Sequence, residues 1–264
     1  MSKLFAAFLL LSVLYICNAS AQRKTDLEAA KLRGMVKSVR VESATLTNED
    51  GKTIESERRP RDVTVYDGQG NRIESQSFRH DGIVLSRTSY ERDAQEHVIL
   101  TTYDGDGKFV RKAVQLVNAE GKFVGFIFFG ANGELKQRSV EMRAANGRLA
   151  QEAVYDGNGK LLYRNIFSYD VNGTQTEYAV YDASGNLTQK TVWLTGGGFH
   201  TVRYDERGNI SFESTNQAST IEETDVQGNW TKQRESQKNT QNGYTREFVV
   251  VTYRTIEYYP PKKK

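Results

Sequence analysis

Seven glycines in the middle of the chain stand at positions 107, 121, 133, 147, 159, 173 and 185, so their gaps alternate 14, 12, 14, 12, 14 and 12. Two turns therefore make a 26-residue unit. Each glycine closes an Asp-x-x-Gly-like motif, as in Tyr103-Asp-Gly-Asp-Gly107, Tyr155-Asp-Gly-Asn-Gly159 and Tyr181-Asp-Ala-Ser-Gly185. Tyr66 to Gly70, Tyr169 to Gly173 and Tyr204 to Gly208 repeat it, and Thr224 to Gly228 keeps the turn without the Tyr. Degenerate copies stand at Asn48–Gly51, Asn118–Gly121, Gly130–Gly133 and Ala144–Gly147. Asp or Asn at the first position caps its own backbone, and Gly three residues on takes the left-handed conformation of a bulged type I loop. The segments between turns hold about eight residues rich in Val, Ile, Phe, Tyr and Thr, too short for helical repeats and suited to strands.

Two residues after the glycines stand Phe109, Phe123, Leu135, Leu149, Leu161, Gln175 and Leu187; seven after them stand Val114, Phe128, Val140, Val154, Ile166, Val180 and Val192. Side chains alternate along a strand, so these sets are expected to form one row on each face of a sheet. A charged row (Lys112, Arg138, Glu152, Arg164, Lys190) is expected beside the Val/Ile row, with Gln115, Gln137, Gln151 and Gln189 on the other face. Both faces then need cover. A flat sheet of about fourteen strands would be unusual, because wide twisted sheets curl, split or close. The expected fold is all-β: a long antiparallel β-meander of tandem hairpin repeats, curled into a spiral, an open shell or a barrel.

Composition agrees. There are 22 Gly and 14 Tyr but only 3 Pro among 264 residues, as a continuous ladder of backbone donors requires. A 38% hydrophobic share with 11% aromatics excludes a disordered chain. Thirty-six Lys and Arg against 33 Asp and Glu leave no general basic field, so nucleic acid is not an expected partner.

The N-terminus reads as a secretory signal peptide over residues 1–21. Lys3 begins it, Leu4 to Ile16 is apolar, and Ala19-Ser-Ala21 offers a cleavage site before Gln22. The apolar core is short for a membrane span, and Ile16 before Cys17 does not suit a lipoprotein signal. After cleavage no integral span and no cysteine remain, so stability outside the cytoplasm must come from packing. An N-terminal segment over 22–59 follows, where Thr25-Asp-Leu-Glu28 reads as a capping box and Gly34 as a helix stop. The repeat region runs over 60–230, and 231–264 holds C-terminal strands and the basic tail Pro260-Pro-Lys-Lys-Lys264.

The tandem Tyr-Asp-x-x-Gly-Asn/Lys-Leu units resemble the RHS/YD repeats of secreted and surface bacterial proteins over roughly residues 60–230. Asp225-Val-Gln-Gly-Asn229-Trp230-Thr-Lys232, with Arg246 and Arg254-Thr-Ile-Glu-Tyr-Tyr259, resembles the ending of small secreted bacterial proteins of unknown function that carry such repeats. Large RHS proteins wrap these repeats into a hollow β-shell around a toxin domain, and YD repeats are linked to carbohydrate binding. The resemblance implies a repetitive β-scaffold, not a toxin, since no toxin domain or processing module is recognisable.

Catalytic patterns are sparse. His80, His97 and His200 have no ligand spacing, and no cysteine accompanies them in the mature chain, so no metal site is expected. Asp104-Gly-Asp-Gly and Asp156-Gly-Asn-Gly imitate part of a calcium loop, but the turn already explains them. Gly196-Gly-Gly198 reads as a turn of altered length without a nucleophile elbow. No cofactor fingerprint occurs. Tyr163, Tyr178, Trp193 and Trp230 are the candidate ligand-binding residues, because rings on a sheet can stack on sugars. The leading expectation is an exported, non-enzymatic β-repeat scaffold binding a cell-envelope glycan or a protein, in the periplasm or at the surface. One alternative is an extracytoplasmic hydrolase built on paired carboxylates such as Glu152 or Glu177. A second is an outer-membrane β-barrel, against which the charges in the Val/Ile row count.

Overall fold

The computed structural model describes residues 25–260. The signal-peptide reading and the Lys262–Lys264 tail lie outside them. Helix α1 (Asp26–Ala29) precedes β1 (Val36–Glu49), β2 (Lys52–Glu55), β3 (Arg59–Tyr66), β4 (Arg72–Phe78), β5 (Val84–Arg92) and β6 (Val98–Asp104). The middle of the chain forms β7 (Phe109–Val117), β8 (Phe123–Phe129), β9 (Leu135–Arg143), β10 (Leu149–Asp156), β11 (Leu161–Tyr169) and β12 (Gln175–Asp182). Then follow β13 (Leu187–Trp193), β14 (Gly198–Tyr204), β15 (Ile210–Gln217), β16 (Thr220–Thr224), β17 (Trp230–Gln241) and β18 (Tyr244–Tyr258).

All pairings are antiparallel, and sixteen of these eighteen strands close into a barrel. The ring runs from β1 to β3, in sequence order to β15, then through β17 and β18 back to β1. The closing pair β1–β18 keeps register from Ser38 opposite Glu257 to Leu46 opposite Val249, with a one-residue shift before it at Val36 opposite Tyr258. Strands β2 and β3 lie in line along one edge of β1, and β15 and β16 along one edge of β17, so two walls are interrupted strands. Of the three forms open to a curled meander, closure is the one that leaves no long edge unpaired.

The turns are built as their chemistry dictates. In the turn after β10, Asp156 Oδ1 accepts the Asn158 and Lys160 N–H groups, each at 2.9 Å, and Gly159 N–H donates to the Asp156 carbonyl at 3.1 Å. Gly159 has φ +85°, a conformation a side chain would strain. The same backbone bonds occur where the motif is hardest to see: Arg79–Gly82, Asp93–Glu96 with Glu96 at φ +66°, and Leu194–Gly197. The triple glycine therefore makes a turn of ordinary length, because Leu194 N–H still bonds to the Gly198 carbonyl. Asn48–Gly51 is instead a two-residue turn on Asp50 and Gly51, both at positive φ, as are Asn242 and Gly243.

The assignment of faces needs correction. From β6 to β13, apart from the one pair beside each turn where a bulge shifts the register, cross-strand pairs join an odd to an even position, as in Val154 with Tyr163 and Tyr163 with Asp182. Cross-strand partners share a face. With all seven turn glycines at odd numbers, the residue seven places on therefore changes face at each strand: Val140 pairs with Ala153, but Val154 with Ser139. The pattern repeats faithfully only every 26 residues. Accordingly Lys112, Arg138, Arg164 and Lys190 share one face, while Glu152 lies on the other, opposite Asn165.

The Glu152 face is the concave one. Helix α1 packs on it, with Leu27 against Val36, Val39 and Tyr66. Arg111 on β7 also acts electrostatically on Tyr163 on β11, four strands away. Four interstrand steps are about 19 Å along the wall, a separation the concave side shortens. This lumen face is laced by side-chain hydrogen bonds: Ser77 to Ser86 at 2.8 Å, Thr88 to Thr102 at 3.2 Å, Thr191 to Thr201 at 2.9 Å and Ser214 to Asn239 at 2.7 Å.

Two outcomes follow. Gly125, on β8, would place a Cβ 2.0 Å from the Ser139 carbonyl oxygen, so Gly125→Ala must displace β9. It should cost about 1–3 kcal/mol in thermal unfolding, against less than that for a substitution at exposed Lys136. Asn186 and Asn209 hold the Asp182 and Asp205 carboxyls below their ordinary value of 3.8. Their contribution is complete above that value and is lost as pH falls through the lower folded-state value. The melting temperature should therefore fall below about pH 4, and fall less steeply in Asp182→Asn/Asp205→Asn.

Candidate functional site

The residues singled out near the C-terminus converge on α1 at one mouth of the barrel. Thr25 caps the helix by accepting from Glu28 N–H at 3.2 Å, Glu28 accepts from Thr25 N–H at 2.8 Å, and Leu27 N–H donates to the Gly70 carbonyl at 3.0 Å. Buried Asn229 clamps the following segment: its Oδ1 accepts Arg33 N–H at 2.8 Å, and its Nδ2 donates to the Arg33 carbonyl at 2.9 Å and the Tyr258 hydroxyl at 2.7 Å. Tyr258 in turn donates to Asp225, and Tyr259 to the Tyr66 carbonyl at 2.7 Å. The last turn and the last strand thus hold the helix in place.

Beside α1 lies a cleft of about 570 Å³ whose walls include Asp26, Arg72, Tyr90, Arg92, Gln115 and Phe126. Asp26 accepts the Arg72 N–H at 2.8 Å and stands 3.8 Å from the Arg92 guanidinium. Arg72 reaches the Tyr90 hydroxyl at 3.4 Å, and Ser75 meets the same hydroxyl at 3.1 Å. Behind it are Asp62, Tyr66 and Arg254. Burial pushes the Asp62 carboxyl up, although Arg61, Arg254 and Arg72 oppose it. Burial also raises the Tyr66 hydroxyl and lowers Arg254, which stacks 3.5 Å from the Trp230 ring centre. The Nε atoms of Arg72 and Arg254 are buried without a hydrogen-bond partner among the described residues, as is that of Arg164 on the outer wall. A buried donor left unpaired is costly, so this cluster is suited to an acceptor.

The four candidate rings do not make one platform. Tyr163 and Tyr178 are neighbours on the lumen wall of β11 and β12, where Tyr178 donates to Asn165 at 3.1 Å and lies against Phe167. Trp193 ends β13 and is 40% exposed, while Trp230 stands at the α1 mouth under Arg254. The carboxylates also part company. Glu177 faces outward, bridged to Lys190 at 2.7 Å, and Glu152 faces the lumen, accepting from Asn165 at 2.8 Å. Glu152 does face a second acid, its cross-strand partner Glu141, whose carboxyl is raised by burial and which pairs with Arg143 at 2.5 Å. His97 bonds Asp93 and His200 bonds Thr215, each at 2.9 Å, on separate strands, and among the described residues no three potential metal ligands gather.

Sequence reasoning missed the arginine cluster. Arg72 and Arg92 stand on the neighbouring strands β4 and β5, but Arg254 is near the other end of the chain, and only barrel closure joins β18 to β3 through β1. The one available signal was the capping box at Thr25, which marked a helix needing a seat. Leu27→Ala should release α1 without unfolding the barrel, seen as faster hydrogen exchange at the Leu27 amide with the strand amides unchanged.

No protein-family model matches the chain, and no curated protein does. The resemblance to RHS/YD repeats therefore rests on the turn motif. Among solved structures, a porin-like protein from Bacteroides uniformis ATCC 8492 is similar at 11% identity and TM-score 0.47, over 84% of this chain and 96% of that one. TcdB2-TccC3 without its hypervariable C-terminal region matches at 10% identity and TM-score 0.14, over 78% of this chain and 19% of that one. The chain thus spans about a fifth of the latter's length.

Proposed function

We propose that this chain is a cell-envelope β-barrel whose function lies in its lumen: non-enzymatic binding of a polar ligand bearing a carboxylate or phosphate at the α1 mouth. The observation that carries this reading is the buried, unpartnered Nε of Arg72 in the wall of the cleft, with that of Arg254 in a second, smaller pocket at the α1 mouth. Arginine donors match carboxylate and phosphate oxygens, and Tyr90 and Phe126 supply apolar faces in the cleft wall. Closure favours a barrel protein over a free-standing interaction sheet, because the meander offers no long edge to a partner. An exported location accords with the signal-peptide reading.

The outer-membrane barrel is the second reading, favoured by the even number of antiparallel strands in the ring. The outer face weighs against it. Arg40, Glu74, Arg87, Arg138 and Lys238 all face outward near strand centres, and a Lys or Arg at the bilayer midplane costs about 2–4 kcal/mol. Charges at these positions suit water or lipid headgroups and not a hydrocarbon midplane.

Two measurements test these readings. The mature chain should purify without detergent as a monodisperse protein; recovery only with detergent would support the membrane-spanning barrel. A panel of carboxylate- and phosphate-bearing saccharides and peptides should contain members that raise the melting temperature. Arg72→Gln and Arg254→Gln should each weaken that binding roughly tenfold or more, with unchanged circular dichroism. A panel without effect, or equal binding by both variants, would sink the lumen reading.

A further inference from the structure

The 26-residue repeat leaves a second pattern on the outer face. Cross-strand partners there are Arg87 with Tyr103, Lys112 with Phe129, Arg138 with Tyr155 and Arg164 with Tyr181. Each unit sets a cation beside an aromatic ring, and the Arg138 guanidinium stands 5.0 Å from the centre of the Tyr155 ring. Parity explains the regularity: every second hairpin brings its pre-turn ring to the outside at one rim, with the basic residue of the neighbouring strand one layer below. Around these units the outer face is apolar. Val110, Leu135 and Met142 are 48%, 42% and 56% exposed.

Charge on this sector is one-sided. From β7 to β13 the outward positions carry Lys112, Lys136, Arg138, Arg164 and Lys190; Lys190 is bridged to Glu177, the one outward acid among the described strand residues there, and Lys136 to Glu134 of the preceding turn at 2.9 Å, which leaves Lys112, Arg138 and Arg164 as the excess. At the adjoining rim, Asp104, Asp156 and Asp182 accept N–H groups of their own turns. The remaining wall is different: its cations are largely matched, as Arg87 is by Glu74 and Lys238 by Glu247.

We propose that the outer face of β7–β13 is a docking surface for an anionic lipid leaflet. Cations attract the headgroup phosphates, rings settle at the headgroup level, and exposed aliphatic side chains reach the acyl boundary. An acidic polysaccharide would answer the cations but leave Val110, Leu135 and Met142 uncovered, so lipid is the occupant that uses every part of the patch. The cations near strand centres suit contact at the interface and not burial at the midplane. Docking of this kind is independent of the lumen.

The test is co-sedimentation of the full mature protein with vesicles of phosphatidylcholine containing phosphatidylglycerol, against vesicles of phosphatidylcholine alone. Binding should occur to the anionic vesicles, weaken with salt, and fall roughly fivefold for each cation removed. Arg138→Gln/Arg164→Gln should therefore bind about 25-fold more weakly. The charge-matched double variant Arg40→Gln/Lys238→Gln, on the opposite wall, should bind as the parent does. Tyr155→Ser, checked for native circular dichroism, should also weaken binding. Equal binding to both vesicles, no binding to either, an equal loss in the opposite-wall variant, or capture by a soluble acidic polysaccharide in place of vesicles would overturn the proposal. Ligand binding at the α1 mouth should survive all of these variants, so failure here is distinguishable from failure of the lumen reading.

Discussion

The Asp-x-x-Gly loop is the constraint on which the barrel depends. Its carboxylate replaces the ladder partners that a reversing backbone loses, and its glycine accepts a conformation that costs other residues energy. Because the loop joins odd to even positions, each reversal exchanges the faces of residues at equal distance from the glycine. Two reversals restore them. A single hairpin copied many times therefore yields two unlike surfaces, a lumen laced by Ser, Thr, Asn and Gln, and an outer wall carrying aliphatic residues, rings and cations.

Stability follows from closure more than from any deep core. The buried apolar groups are few and small: one cluster forms around Leu27, Val36, Val39 and Tyr66, and another around Ala44, Val251 and Tyr253. Both lie at or beside the β1–β18 seam, where the two ends of the described chain meet. Satisfying every edge by joining first strand to last removes the unpaired donors that an open meander would present to water or to another chain. The same seam brings Arg254 beside Asp62 and Trp230, so the step that completes the barrel also completes the arginine cluster.

Much of this was legible in the residues. The Gly spacing located the hairpins, the scarcity of Pro fitted an uninterrupted ladder, and Thr25-Asp-Leu-Glu28 marked α1. Parity across a bulged loop was not legible from offsets alone, because Val140 and Val154 look equivalent until their partners are known. Asp93-Ala-Gln-Glu96 escaped notice because Glu replaces the usual Gly and bears the positive φ itself. Closure could not be chosen over a spiral, since it depends on cumulative twist and on the long seam strands. For the same reason Trp230 read as a sugar-stacking ring although Arg254 already covers it.

The seam is also where the account is most directly exposed to test. Arg40 and Thr255 are cross-strand partners on the outer face of β1 and β18, and such partners have Cα atoms about 4.5–5.5 Å apart, within disulfide reach. A mature chain carrying Arg40→Cys and Thr255→Cys, and starting after Cys17, has no other thiol. On mild oxidation it should form an intramolecular disulfide in good yield and remain monomeric, with its circular dichroism unchanged. Persistent free thiols in the folded protein, or disulfides formed only between chains, would contradict a closed barrel.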